Sequence, residues 1–327
     1  MSKPIKFLQS GLCILTAMLT LLCLRIDGLW TPSPADPPAQ SPTEAPVSLP
    51  TEPLTEAPNT QILQGQSPTD PWADYPDGIR IETILKQNYT AHVMRIKNPS
   101  SVYLATSSQS FSLDNLGTRI PNQLRTEGAI AGINAGAFND DGTSSDYIGS
   151  IPIGLVVSEG EILWDDGRSY NGFVGMDRAN RLVVLDTIDR ATVEALDIRD
   201  GCCFGPVLIK EGQVNEKVYK KTDTLNARTA IGQLADGTVI FLCIDGRQCG
   251  SIGADYSDLL DIMVELECVN ACALDGGAST VMVYKDTYGR YGKPGQIVTC
   301  SSYSLFQASP RRMPTFFMVR PGEEESP

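Results

Sequence analysis

Short apolar runs separated by polar turns follow one another along most of this chain, a rhythm that predicts strands rather than long helices. Thr90 to Ile96 alternates loosely, with Ser101 to Thr106 expected as its partner across Asn98-Pro99-Ser100. Ile153 to Val157 and Ile162 to Trp164 flank Ser158-Glu159-Gly160-Glu161, and Phe173 to Met176 and Leu182 to Leu185 flank a second polar turn. Val207 to Lys210 turns at Glu211-Gly212 into a run from Val214. Thr229 to Leu234 turns at Ala235-Asp236-Gly237 into Thr238 to Ile244. A further short run, Ala129 to Asn134, ends in Asn134-Ala135-Gly136.

Helical spacing is clearest at Tyr256 to Glu267. Tyr256, Leu259, Leu260, Met263 and Leu266 form one apolar face there, with Ser257 or Asp255 placed to cap its start. A weaker helix is expected over Arg190 to Leu196. Many strands with a few helices give an α+β domain, its sheet mixed or largely antiparallel with a few packed helices. No internal repeat is visible.

The first quarter of the chain departs from this rhythm. Lys3 and Lys6 precede an almost uncharged run from Phe7 to Leu24, closed by Arg25. No small-x-small cleavage site follows, so an uncleaved single-pass membrane anchor is expected, with a cleaved signal peptide and a secreted chain as the alternative. Either places the remainder outside the cell. From Trp30 to about Pro76, Pro, Thr, Ser, Ala and Glu dominate, and no Lys or Arg occurs between Arg25 and Arg80. Such a segment buries too little apolar surface to fold and reads as a disordered, extended spacer. The expected division is an anchor over 1–29, a linker over 30–76, a folded domain over 77–321 and an acidic tail over 322–327.

A net charge of −13 lacks the basic footprint that nucleic acid requires. Seven cysteines lie beyond the anchor: Cys202, Cys203, Cys243, Cys249, Cys268, Cys272 and Cys300. Outside the cell disulfides are the default expectation, with Cys243–Cys249 and Cys268–Cys272 as local options. Zinc has little support, because there is no Cys-x-x-Cys pair and His92 is the only histidine. His92 sits in an alternating run and reads as a packed or exposed strand residue, so a serine–histidine triad has no support. No phosphate-binding glycine loop is present.

Three apolar runs end in a polar side chain beside glycine: Ile133 leads into Asn134-Ala135-Gly136, Ile244 into Asp245-Gly246-Arg247, and Leu274 into Asp275-Gly276-Gly277-Ala278-Ser279-Thr280. Strand ends of this kind line clefts, with the strands supplying rigidity. Alone, Asp275-Gly276 reads as a hairpin turn. Arg228, at the start of another run, offers a planar fork of donors suited to phosphate or carboxylate. Two Asp, one or two Arg and an Asn suffice for acid–base hydrolysis of an anionic substrate.

In this order, Ala131-Gly132-Ile133-Asn134-Ala135-Gly136-Ala137-Phe138, Gly205-Pro206-Val207-Leu208, Ala227-Arg228-Thr229-Ala230-Ile231-Gly232, Ile244-Asp245-Gly246-Arg247 and Ala273-Leu274-Asp275-Gly276-Gly277-Ala278-Ser279-Thr280 resemble the phosphodiester glycosidase family. Arg312-Met313-Pro314-Thr315 looks like that family's last strand, so the resemblance runs from about Tyr89 to Val319. Three positions depart from the family pattern: Ala135 and Ala278 stand where glycine is usual, and Ala137 where an aromatic is usual.

The resemblance implies hydrolysis of a sugar-1-phosphodiester in a surface glycan or exopolysaccharide, giving free sugar and a phosphate monoester. Asp275 or Asp245 is then the carboxylate that serves as base or nucleophile, and Arg228 holds the phosphate, with Arg247 second. Asn134, Gly136, Gly276, Gly277, Ser279 and Thr280 are expected to orient sugar hydroxyls or phosphate oxygens. No cofactor is expected; a divalent cation at Asp245 and Asp275 is the weaker alternative. The rival function is a non-catalytic module that binds envelope polysaccharide in the same cleft.

Overall fold

Antiparallel pairing builds three sheets in the computed structural model, whose described residues are 70–139, 149–220, 223–247, 251–285 and 310–322. The largest sheet runs β1 (Ile79–Leu85), β2 (Thr90–Ile96), β13 (Val239–Ile244), β12 (Arg228–Leu234), β14 (Cys268–Leu274), β10 (Val207–Lys210) and β11 (Gln213–Val214). A four-stranded sheet orders β15 (Met282–Tyr284), β4 (Ala131–Asn134), β16 (Thr315–Val319) and β3 (Val102–Thr106). A five-stranded sheet orders β6 (Glu161–Asp165), β5 (Leu155–Ser158), β9 (Ile198–Cys203), β7 (Phe173–Asp177) and β8 (Leu182–Leu185). The helices are α1 (Ile120–Glu127), α2 (Arg190–Ala195) and α3 (Tyr256–Glu265).

The large sheet is buried on both faces, which is why β13, Val-Ile-Phe-Leu-Cys-Ile, is apolar without alternation. Met94, Ile231, Phe241, Cys243, Cys272 and Leu274 face a core shared with Ile133, Phe317, Val156 and Val174 of the other two sheets. Ala91, Val93, Ala230, Leu242, Ile244 and Ala273 face the opposite way, onto Leu259, Leu260, Ile262 and Met263 of α3. Asp255 is the residue that caps α3. Its side chain accepts from the Asp258 amide, and the Asp258 side chain accepts from the Asp255 amide, closing a capping box.

The four hairpins β5–β6, β7–β8, β10–β11 and β12–β13 form across the turns expected from sequence. The pairing of β2 with the following run does not form. Both edges of β2 are taken by β1 and β13, while a short 3₁₀ turn at Pro99–Ser101 sends β3 to β16. Nor is Asp275-Gly276-Gly277 a hairpin turn. β14 ends at Leu274, one 3₁₀ turn spans Gly277–Ser279, and the chain crosses into the four-stranded sheet as β15 beside β4.

Cys268 and Cys272 are both free and buried, as are Cys202, Cys203 and Cys243. Four residues apart on one extended strand, Cys268 and Cys272 are separated by about 13 Å, beyond the reach of a disulfide. Cys249 and Cys300, and with Cys249 the Cys243–Cys249 option, lie outside the described residues, as do the expected anchor, most of the linker and residues 323–327 of the tail. Among the described residues no helix is long and apolar enough to cross a membrane.

Candidate functional site

Register brings three strand ends together at one end of the large sheet. Thr229 of β12 pairs with Cys243 of β13 on one side and with Leu274 of β14 on the other, and Arg228 pairs with Ile244. Asp275 is therefore the residue of β14's continuation that comes level with Arg228, and Asp245 follows directly on Ile244. On the far side of β14, Val207 pairs with Cys272, and the Ala273 amide donates to the Pro206 carbonyl at 3.1 Å. Past Pro206 that ladder ends: the Phe204 carbonyl lies 3.5 Å from Cys272 Sγ, and the Ala137 amide donates to the Cys203 carbonyl at 3.0 Å. Asp275 thus stands between Arg228 of β12 and Ala135, whose segment leads through Ala137 to Cys203.

The strand pleat divides these groups. Arg228 follows the alternation of Ala230 onto the α3 side, where its guanidinium carbon lies 4.1 Å from the centre of the Tyr256 ring. Nε donates to the Ala254 carbonyl at 3.0 Å, and Nη2 donates to Asp223 Oδ2 and the Thr224 carbonyl, both at 2.6 Å. Arg228 is 7% exposed. Three of its five donors are thereby fixed inside the protein, and the two on Nη1 meet no acceptor among the described residues. Burial raises the Tyr256 hydroxyl to about 12, and the nearby charges of Arg228, Asp223 and Asp275 act on it as well. Tyr256 thus keeps a neutral hydroxyl, with the Arg228 guanidinium over its ring and the Asp275 carboxylate acting on it.

Asp275 is half-buried and its backbone is held tightly. Its amide donates to the Ala135 carbonyl at 3.0 Å, and its own carbonyl accepts from Asn134 Nδ2 at 2.6 Å. Asn134, 1% exposed, also accepts at Oδ1 from Thr229 Oγ1 at 3.0 Å and from the Val281 amide at 3.1 Å. Its side chain joins β4, β12 and the Asp275 stretch from within. Thr280 is fully buried and meets Thr229 Oγ1 at 3.2 Å. The Gly277 amide donates to the Ala227 carbonyl at 2.8 Å, and the Ser279 and Thr280 amides close the 3₁₀ turn. Among the described residues, that leaves the amides of Gly276 and Ala278 uncommitted. Gly276 lies so close to β12 that a Cβ there would sit 2.8 Å from the Ala227 carbonyl oxygen, and Gly277 has φ +58°. Ser279 is fully buried, and its Oγ has no hydrogen-bond partner among the described residues.

Asp245 lies on the other face. It follows the alternation of Cys243 into the three-sheet side, where its Oδ2 is 3.1 Å from Nε2 of His92, the strand partner of Cys243. The Asp245 carbonyl accepts from Ser251 Oγ at 2.8 Å. The described residues contain no cluster of three or more His, Cys, Asp or Glu suited to a metal. Arg247 is exposed and donates to the Leu225 carbonyl at 2.7 Å. Gly136 packs against β9, where a Cβ would lie 2.9 Å from Cys202 Cβ, and its amide donates to Thr315 Oγ1.

Sequence reasoning grouped Arg228 with Asp275, which the structure brings together, but missed Tyr256, Asp223 and the His92 pairing. Tyr256 carried a signal: it begins the helix whose apolar face is clearest in the sequence, directly after the capping Asp255. Asp223 and His92 carried none, because only strand register and a loop bring them in.

The family model described as phosphodiester glycosidase matches residues 127–320. The SPbeta prophage-derived uncharacterized protein YomE of Bacillus subtilis is 24% identical over 199 residues, 58% of this chain and 28% of the relative. The mouse N-acetylglucosamine-1-phosphodiester alpha-N-acetylglucosaminidase is 28% identical over 156 residues, 42% of this chain and 30% of the relative. The chain thus spans less than a third of the length of these relatives. The zebrafish catalytic domain of the same enzyme, in a structure described as auto-inhibited by its pro-peptide, shares the fold with a TM-score of 0.58 at 19% identity, over 74% of this chain and 82% of that one. The matched segment is more than half of the chain and contains Asn134, Arg228, Asp245 and Asp275 together, and on that match the chain belongs to the phosphodiester glycosidase family.

Proposed function

We propose that this chain hydrolyses the glycosidic bond of a sugar-1-phosphodiester, releasing free sugar and a phosphate monoester. The observation that carries this reading is the level placement of Asp275 and Arg228 on adjoining strand ends. The Nη1 donors of Arg228 hold a phosphate oxygen, while the carboxylate of Asp275 supports the anomeric carbon as positive charge develops there. Water contributes hydroxyl to that carbon, the electron pair of the broken C–O bond leaves with the phosphate monoester, and the remaining proton of the water passes to that phosphate. The uncommitted amides of Gly276 and Ala278 supply further donors beside Asp275. Asn134 acts on the chemistry by fixing the Asp275 backbone, and Asp245 by its place in the neighbouring strand end.

The mouse relative is named for N-acetylglucosamine in this linkage, which makes that sugar the first to test, with envelope glycans or exopolysaccharide as the larger substrate class. The apolar run from Phe7 to Leu24 supports placing the domain outside the cell on a membrane tether. The purified full chain is incubated with the methyl phosphodiester of α-N-acetylglucosamine 1-phosphate, and released sugar is measured. Turnover by the native chain, lost by roughly 10²–10⁴-fold in Asp275→Asn with an unchanged circular dichroism spectrum, is the expected result. Saturable binding with no product after long incubation would replace the reading with a glycan-binding module.

A further inference from the structure

The Gly205-Pro206 motif has no part in the chemistry above, yet it sits two strand positions from Asp275. Three observations give it a purpose. Phe204, which follows the Cys203 whose carbonyl accepts from the Ala137 amide, carries the ring of Tyr170 at a centroid distance of 5.4 Å and a tilt of 46°. Phe204 is 5% exposed and fixed in the α3-side core, whereas Tyr170 is 38% exposed. The loop bearing Tyr170 is pressed directly onto the motif. A Cβ on Gly205 would lie 2.0 Å from the Asn171 carbonyl oxygen, and one on Gly172 would lie 2.9 Å from the Phe204 carbonyl oxygen. The Cys203 sulfur accepts from the Leu155 amide at 3.2 Å and from the Tyr170 backbone, tying the loop down from the other side.

The Tyr170 ring is thus seated on Phe204, joined to Asp275 through residues 135–137, and its phenol acts on the Tyr256 hydroxyl together with Asp275 and Arg228. A pyranose presents apolar C–H groups on one face and hydroxyls on its rim, so an aromatic wall beside polar donors is the arrangement that grips it. We propose that Tyr170, seated by the Gly205-Pro206 motif, forms the wall on which the sugar ring of the substrate stacks, and so helps set which sugar is accepted. The inference rests on the glycosidase reading above. Stacking uses the ring face, so the phenol oxygen is dispensable, and the phosphate side of the site should be indifferent to the change.

The test uses the full chain and its Tyr170→Ala, Tyr170→Phe and Gly205→Ala variants. KM and kcat are measured on the methyl phosphodiester of α-N-acetylglucosamine 1-phosphate, binding of that compound by calorimetry, and inhibition by inorganic phosphate. Tyr170→Ala should raise KM and the calorimetric Kd on the order of tenfold, with phosphate inhibition unchanged. Tyr170→Phe should keep native values, and Gly205→Ala should behave like Tyr170→Ala. An unchanged Kd in Tyr170→Ala, or a loss in Tyr170→Phe as large as in Tyr170→Ala, overturns the stacking wall whatever the turnover. Binding without turnover in the native chain, weakened in Tyr170→Ala, keeps the wall and removes the hydrolase reading. A native chain that neither binds nor turns over this compound overturns both for this sugar class.

Discussion

Nε2 of His92 lies 3.1 Å from Oδ2 of Asp245, a contact between residues 153 apart in sequence that the pairing of β2 with β13 creates. Asp245 is 7% exposed, with its amide donating to the Thr90 carbonyl at 2.9 Å. A carboxylate so enclosed loses stability when a partner is removed, because its remaining lone pairs are not reached by water. His92→Ala should lower the unfolding free energy by about 1–3 kcal/mol, read from the urea midpoint. Turnover should fall by no more than about tenfold, against roughly 10²–10⁴-fold for Asp275→Asn. A loss in His92→Ala as large as in Asp275→Asn, at native stability, would make the pair part of the chemistry instead of its support.

Asn134 makes a sharper stability case. Its amide holds the Asp275 carbonyl at 2.6 Å, and its oxygen serves the Val281 amide and Thr229 Oγ1 at 3.1 and 3.0 Å. Asn134→Ala removes all three bonds at a 1%-exposed position and leaves a buried donor and acceptor unmet. The expected cost is about 2–5 kcal/mol, measured by chemical denaturation. Because the lost bond also anchors Asp275, kcat should fall while inhibition by inorganic phosphate, an Arg228 property, is retained. A stable Asn134→Ala protein with native kcat would show that the Asp275 backbone is held by the Ala135 contact alone.

Hairpins were legible because turn residues sit directly between two apolar runs, and local chemistry decides such pairs. β1 and β9 were not. Only Ile79 of β1 is buried, so no alternation marks it. β9 reads Ile-Arg-Asp-Gly-Cys-Cys, its apolar pattern broken by an Asp200 that is buried against Arg199 and by a Gly201 whose missing side chain lets β7 approach. α1 has a proline in its first turn, and Ile120 and Leu124 are its only buried apolar residues, too few to stand out as a helix. Within the site, Arg228, Asp245 and Asp275 were visible as punctuation at the ends of apolar runs. Which face each takes depends on strand alternation continued past the last paired residue, and Tyr170 is brought in by a loop packing on Gly205. Neither relationship has a local signal.

Arg228 gives a prediction in which charge and geometry separate. Lysine preserves the positive charge but has no planar fork, so the bonds to Asp223, Thr224 and Ala254 cannot all be kept, and the stack on Tyr256 weakens. Arg228→Lys should raise KM for the phosphodiester by roughly tenfold or more, with a stability loss of about 1–3 kcal/mol. Tyr256→Phe keeps the ring and should leave the stability near native, whereas Tyr256→Leu removes the cation–π contact at about 0.5–2 kcal/mol. Native KM in Arg228→Lys would assign the phosphate to another cation, with Arg247 the next to test.

The buried thiols predict an alkaline limit to stability. Burial pushes the Cys202, Cys203, Cys243, Cys268 and Cys272 thiols up, Cys268 to about 12. In the unfolded chain thiols ionise near about 8.5, so above that pH the unfolded state sheds protons that the native state retains. A group whose folded pKa is raised contributes stability that is whole below the unfolded value and is lost as pH rises towards the folded one. Each such thiol therefore removes about 1.4 kcal/mol per pH unit in that window. Urea midpoints should be flat from pH 6 to 8 and fall steeply from pH 9 upward, with a shallower slope in Cys268→Ala. The same thiols should resist iodoacetamide at pH 8 in the native protein and react on unfolding, as peptide mapping by mass spectrometry would show. Fast native labelling at Cys268 would mean that the α3-side packing opens on the labelling timescale, and at Cys272 that the core between the sheets does.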